Sequence, residues 1–243
     1  MTRSPIALLT VAVVVLALAA LGVNALLSSS SSGKLIDPAE PAPSALASGM
    51  GLGQANAPVT VDVYADFQCP NCRAYAEQVE PRVINQYVRP GIARIVFHDM
   101  AFLGTGSPQQ DESVQAAVAA RCAEAQGRFW SYQEYLFANQ GTENGGAFNR
   151  TLFDSIADRV GLDRGTFDAC LADPAQTNAV MSDTSKALEA GINATPTVLV
   201  NGTRVSSWAL SIISQAIDAA AANATPPAPS GPPASPVASP SAS

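Results

Sequence analysis

The chain has 243 residues, with 13 Lys and Arg against 20 Asp and Glu, a formal net charge of −7, four cysteines and a single histidine. Such acidity is a poor match to a phosphate backbone, so nucleic acid is excluded as the expected partner. Both ends differ in composition from the middle, which makes the folded part shorter than the length implies.

In chain order, residues 1–5 precede an apolar run, Ile6 to Leu27, that contains no charged residue. At 1.5 Å rise per residue this run is long enough to cross the ~30 Å hydrocarbon layer. Arg3 before it favours a cytoplasmic N-terminus and an extracytoplasmic remainder, so a single-pass signal anchor over 6–27 is expected. The alternative is a signal peptide cleaved near Val23-Asn24-Ala25, giving a secreted protein. Residues 28–53, rich in Ser, Pro, Ala and Gly, read as a flexible linker, and 224–243 as a disordered Pro/Ala/Ser tail. One domain is left, 54–223, within the size of a single core.

Within it, hydrophobic period switches between two and about 3.6, the mark of alternating strands and helices in an α/β domain. Val59, Val61, Val63 and Ala65 share one face of a strand. The helix that follows places Cys72, Ala76, Val79 and Val83 inward, kinks near Pro81 and ends before Pro90-Gly91. Ile92 to Phe97 reads as a second strand. Ser107, Pro108 and Gln110 offer an N-cap, an N1 proline and a reciprocal N3 side chain for a helix running to Gln126.

Helices over Phe129 to Ala138 and Thr151 to Val160 follow, the second closed by Gly161. Asp163 caps a short helix with Phe167, Cys170 and Leu171, and a longer one ends near Gly191. Thr197 to Val200, Asn201-Gly202 and Thr203 to Val205 form a hairpin, and Ser206 or Ser207 opens a last helix with Trp208, Ile212, Ile213 and Ile217. The helical block occupies about 107–190. Asn-x-Thr triplets at Asn149, Asn193, Asn201 and Asn223 are assigned to turns and caps.

The chemistry sits in Cys69-Pro70-Asn71-Cys72, directly after the first strand and at a helix start. Cysteines three positions apart can bond to each other or stand open as a dithiol, which stores two electrons. Cys69 would face unpaired N–H groups and the positive end of the helix dipole, which favour thiolate over thiol. Cys72, one turn further in, suits the resolving role. A structural bridge or half of a zinc site is the bland reading, but zinc needs four ligands and Cys122 and Cys170 stand far apart with no histidine at ligand spacing. No metal or other cofactor is expected. Cys122 lies on a face with Val114 and Val118, and Cys170 beside Phe167 and Leu171. The two read as a structural disulfide worth ~4 kcal/mol in the loop-entropy estimate. Two buried free thiols are the alternative.

This order of elements, with Asp66-Phe67-Gln68-Cys69-Pro70-Asn71-Cys72 early and Thr195-Pro196-Thr197 late, resembles the thioredoxin superfamily, and most of all the DsbA-like oxidoreductases. Arg121-Cys122-Ala123 through Gln126-Gly127-Arg128-Phe129-Trp130, and Pro196-Thr197-Val198 leading to Asn201-Gly202, match the same pattern. The resemblance covers about 57–220 and implies a thioredoxin-like fold with a central mixed sheet and a helical insertion. It further implies that Pro196 is cis and lies against the cysteine pair, that Thr195 tunes Cys69, and that Thr195 and Pro196 pair with an extended substrate. Asp66 is read as a turn-holding residue or a proton relay.

Two residues depart from the pattern. Val63 stands six before Cys69, where relatives often bury a carboxylate, and Asn71 replaces the histidine of strongly oxidising members. His98, Trp130, Tyr132, Tyr135 and Phe137 read as structural.

The expected activity is oxidation of dithiols in exported proteins by a membrane-anchored monomer. The resemblance implies reoxidation by a quinone-linked DsbB- or VKOR-type membrane protein. A reductase or isomerase of the same fold is the alternative, and a non-catalytic tethered binding module the third reading.

Overall fold

The computed structural model describes residues 34–224. Two compact units divide the chain, Met1–Ile36 and Asp37–Ser243, and the described strands and helices lie in the second. The apolar run 6–27 and the tail beyond 224 lie outside the described residues. Among the described residues no helix is long and apolar enough to cross a membrane.

Among the described residues six strands form one mixed sheet: β1 (Ala47–Ser48), β2 (Gly51–Leu52), β3 (Val59–Ala65), β4 (Ala93–Asp99), β5 (Thr197–Val200) and β6 (Thr203–Arg204), ordered β1-β2-β4-β3-β5-β6. Only β3 and β4 pair in parallel, and every other neighbour is antiparallel. A parallel pair needs a crossover, supplied here by α1 (Pro70–Gln78), the short α2 (Glu80–Val83) and a π-helical turn, Ile84–Val88. Val59, Val61, Val63 and Ala65 alternate with half-buried residues along β3, and Ala93, Ile95 and Phe97 do so along β4. Each large apolar side chain among them contributes roughly 1.5–3 kcal/mol by leaving water. The expected α/β class, thioredoxin-like with a mixed sheet and a helical insertion, is what the chain forms.

Between β4 and β5 come α3 (Glu112–Glu124), α4 (Phe129–Ala138), α5 (Arg150–Val160), α6 (Arg164–Ala172) and α7 (Pro174–Glu189), and α8 (Leu210–Asn223) closes the domain against β5 and β3. Caps explain several boundaries. Asn149 accepts from Leu152 N at 3.1 Å to start α5, and Gly161, at φ 73°, ends it in the left-handed conformation that lacks a Cβ penalty. Asp163 does the same for α6, accepting from Thr166 N at 2.8 Å.

Four local expectations differ from the structure. The helix expected from Ser107 begins at Glu112, because the Ser107 carbonyl closes a turn with Gln110 N at 2.8 Å and Asp111 N at 2.9 Å. Asp111 then takes the N-cap, accepting from Val114 N at 3.0 Å. The last helix begins at Leu210, with Trp208 ahead of it and Ser207 Oγ accepting from Ala209 N at 3.2 Å. Tyr75 and Glu80 are buried where Ala76 was expected to point inward. The stretch read as a linker up to residue 53 contains β1 and β2, joined to β4 through Gly51↔Val96 and Leu52↔Ile95. Leu52 is fully buried, and the Trp130 indole donates to Gly51 O at 3.0 Å.

Cys122 and Cys170 form a disulfide between α3 and α6 across 48 positions. Replacing both by Ser is expected to lower the unfolding free energy by about 4 kcal/mol. Denaturant unfolding with Cys69 and Cys72 kept reduced measures it; a loss below about 1 kcal/mol would mean packing alone fixes this loop.

Candidate redox site

The C-terminal end of β3 runs into the turn Asp66-Phe67-Gln68, which delivers Cys69 as the N-cap of α1, with Pro70 at the first helical position. Proline costs nothing there, because its missing N–H would have had no helical partner. Cys69 N donates to Asp66 O at 3.1 Å and its carbonyl accepts from Arg73 N at 3.1 Å. Cys69 and Cys72 are free thiols, 6 % and 1 % exposed, whereas Pro70 and Asn71 between them are exposed. The Thr195-Pro196 bond is cis, and the Cys69 thiol donates to Thr195 O at 3.4 Å. The Thr-Pro loop therefore lies against the reactive sulfur.

Cys69 is acidified from 9.0 to about 6. The largest cause is the hydrogen bond from the Cys72 thiol; burial opposes it, and bonds from the Thr195 side chain and from the backbone N–H groups of Cys72 and Asn71 add to it. Cys72 moves the other way, pushed well up first by burial and then by its bond to Cys69 and the charge there. One proton is thus shared unevenly: near neutral pH the outer sulfur is a thiolate and the inner one a thiol. That division suits an outer nucleophile and leaving group beside an inner resolving thiol.

Asp66 holds the turn. Its Oδ1 accepts from Gln68 N at 2.8 Å and Ser113 Oγ at 2.7 Å, and its Oδ2 accepts from Phe102 N and Leu103 N at 3.0 Å each. Burial raises its pKa against those four bonds. Sequence reasoning missed the rest of this clamp. Gln140 Nε2 donates to Phe67 O at 2.5 Å and Cys69 O at 3.0 Å, and Gln68 bridges Ser113 Oγ, at 2.9 Å, to Asn144 N, at 2.6 Å. These partners come from segments 45 to 76 positions away, so no local spacing announces them.

Residues expected to stand apart do so. His98 pairs with Asp62 at 2.8 Å and stacks on Tyr64 with ring centroids 4.4 Å apart. Trp130, Tyr132 and Phe137 are buried, while Tyr135 reaches out to Asp37 at 2.7 Å. Val63 fills its place in β3 as a buried core side chain.

A family model described as thioredoxin matches residues 46–219. The chain belongs to the thioredoxin family. Among relatives of this thioredoxin-family chain, disulfide bond formation protein D of Bacillus subtilis is 28% identical over 161 residues, 65% of this chain and 70% of the relative. Na(+)/H(+) antiporter NhaA 3 of Salinispora tropica is 34% identical over 155 residues, 63% of this chain, but this chain spans only 21% of the antiporter's length. The oxidised crystal structure of BdbD from Bacillus subtilis shares the fold with a TM-score of 0.65 at 24% identity, covering 76% of this chain and 99% of that one. The DsbA-like likeness read from the sequence is the one these comparisons return.

Alkylation of the reduced protein by iodoacetamide is expected to inflect near pH 6, against about 8.5 for a free thiol. Cys72→Ala should move that inflection upward, since it removes the bond that lowers Cys69 most. Because the folded value lies below the unfolded one, the thiolate's contribution to the stability of the reduced form is full above about pH 9 and is lost as pH falls through about 6. Asp66→Ala strands two backbone N–H groups of the 102–103 turn; a loss of roughly 3 kcal/mol in denaturant unfolding is expected.

Proposed function

We propose that the chain is an extracytoplasmic thiol–disulfide oxidoreductase that converts dithiols of exported proteins into disulfides through Cys69 and Cys72. The observation that carries this reading is the acidified Cys69 sulfur set against the Thr195-Pro196 loop and backed by a high-pKa Cys72. In the oxidised enzyme a substrate thiolate attacks Cys69 Sγ, the Cys69–Cys72 bond breaks and Cys72 takes up a proton. A second substrate thiolate then displaces Cys69, which leaves as the stabilised thiolate. The substrate loses two electrons and the enzyme gains them.

Stabilising the reduced enzyme's thiolate makes its disulfide more oxidising, which favours oxidation over reduction as the working direction. The relative named disulfide bond formation protein D supports the same direction. The dithiol left by each turnover is reoxidised by a quinone-linked membrane protein of the DsbB or VKOR type. A single-pass anchor over 6–27 would place a monomer beside that partner in one bilayer, raising their effective concentration. The occurrence of related sequence within a chain named as an antiporter fits work beside a membrane. Pro70, Asn71 and Asp66 shape the active turn, and Thr195 and Pro196 present backbone to an extended substrate segment.

In an oxidative refolding assay, the oxidised protein is expected to regenerate the disulfides of a reduced secreted test protein, and Cys69→Ser to abolish this. Cys72→Ala should accumulate mixed disulfides. A reduction potential near −270 mV rather than nearer about −120 mV would assign the reductase direction instead.

A further inference from the structure

The C-terminal end of α4 holds the active turn at two points. Phe137 packs its ring against that of Phe67 with centroids 5.1 Å apart, and Gln140, three positions on, donates its side-chain amide to the Phe67 carbonyl at 2.5 Å. The same Nε2 donates to the Cys69 carbonyl at 3.0 Å. Cys69 O also accepts from Arg73 N at 3.1 Å, and Arg73 Nη1 donates back to Gln140 O at 3.4 Å. Cys69, Arg73 and Gln140 therefore close a ring of hydrogen bonds around the start of α1. Gln140 is half-buried, and its own N–H donates to Phe137 O at 3.2 Å, which fixes where the amide can reach.

Only three atoms of the same residue separate the Cys69 carbonyl oxygen from Sγ, so the partial negative charge of that oxygen acts on the sulfur at close range. An amide N–H placed on the oxygen offsets it. The same bond fixes the peptide plane between Cys69 and Pro70, and with it the direction of the Asn71 and Cys72 N–H groups that donate to the sulfur. Pro70-Asn71 brings no cation to the site, and Arg73 Nε is taken up by Glu77 at 2.8 Å. A thiolate here thus depends on hydrogen-bond donors, and donors depend on aim.

We propose that Gln140 is a positioning residue for thiol exchange: by occupying the Phe67 and Cys69 carbonyls with one amide group, it keeps the N–H groups of the first turn of α1 aimed at Cys69 Sγ and so governs how readily that sulfur attacks and leaves. This deepens the reading of Cys69 and Cys72 as a redox pair and rests on it. Gln140 acts through the Cys69 peptide and takes no part in bond making. Without its donor both carbonyls lose a partner, the first turn loosens, and the thiol form of Cys69 gains over the thiolate. A disulfide whose reduced thiolate is less stable is a weaker oxidant. The insertion would in this way tune the sulfur from 71 positions away in the chain.

The test compares the full chain with Gln140→Met, which keeps the side chain's length and removes the donor, and Gln140→Glu, which keeps its shape and replaces the donor by an acceptor. With Cys69 and Cys72 reduced, alkylation by iodoacetamide should inflect near 6 in the wild type. In Gln140→Met it should inflect at about 7, and in Gln140→Glu at least as high. A rise from about 6 to about 7 lowers the equilibrium constant for reduction of the disulfide by glutathione about fivefold at pH 7, because the thiolate fraction that drives reduction shrinks. Lost stability is separated from lost aim by replacing both Cys122 and Cys170 with Ser, which weakens the domain without touching the turn. That protein should keep its inflection near 6. An unchanged or lowered inflection in Gln140→Met, or an equal rise in the protein lacking the Cys122–Cys170 bridge, overturns the role of Gln140 and leaves the redox pair standing. A wild-type inflection at the free-thiol value of about 8.5 overturns the redox pair and this role with it.

Discussion

The hydrogen bond from the Cys72 thiol to the Cys69 sulfur is the contact on which the site depends, because it converts two ordinary cysteines into an acid and a near-permanent thiol. It forms only if Cys69 sits at the first turn of α1 and Cys72 one turn beyond, facing inward. Each requirement traces to the chain: β3 ends at Ala65, Asp66 takes up the N–H groups of the turn, and Pro70 starts the helix without a wasted donor. Burial alone would push both thiols up. The backbone donors and the partner sulfur reverse that for one of them, and the polarity between the two sulfurs follows.

Much of this was legible in sequence because it is local. Period-two runs gave β3 and β4, caps such as Asn149, Asp163 and Gly161 fixed helix ends, and the cysteine spacing at a helix start carried the thiolate argument. Asn201-Gly202 marked the hairpin, and both Asn201 and Gly202 adopt positive φ there, 46° and 77°. What stayed hidden is non-local or very short. Strands of two residues, like β1 and β2, have no alternation to read; the pairs Gly51↔Val96 and Leu52↔Ile95 join them to the sheet. The helix after Gly106 was expected to be capped by Ser107, but the Ser107 carbonyl closes a turn with the Gln110 and Asp111 N–H groups and Asp111 takes the cap. Glu80, a charged residue preceding a proline, looks like a solvated helix start; its burial follows from α4 packing across it.

The vacant carboxyl position at Val63 gains meaning from that last point. An apolar β3 interior leaves no room for charge on the sheet side of Cys72. A buried carboxyl, that of Glu80, lies instead on the helical side, where Gln133 Nε2 of α4 donates to it at 3.4 Å. The two arrangements ask different things of the fold, since a strand residue is held by the sheet ladder and a residue on α2 by helix packing.

The insertion between β4 and β5 also reaches into the active turn. Ser113, Gln140 and Asn144 supply bonds to Asp66, to the Phe67 and Cys69 carbonyls and to Gln68, and Arg121 ties α3 to β4 through Asp99 at 2.5 Å and to α7 through Asp183 at 2.6 Å. Trimming the domain to a minimal sheet-and-helix core would therefore not yield a smaller oxidoreductase with the same sulfur chemistry. Such a miniature would keep the cysteines and forfeit the scaffolding that aims them.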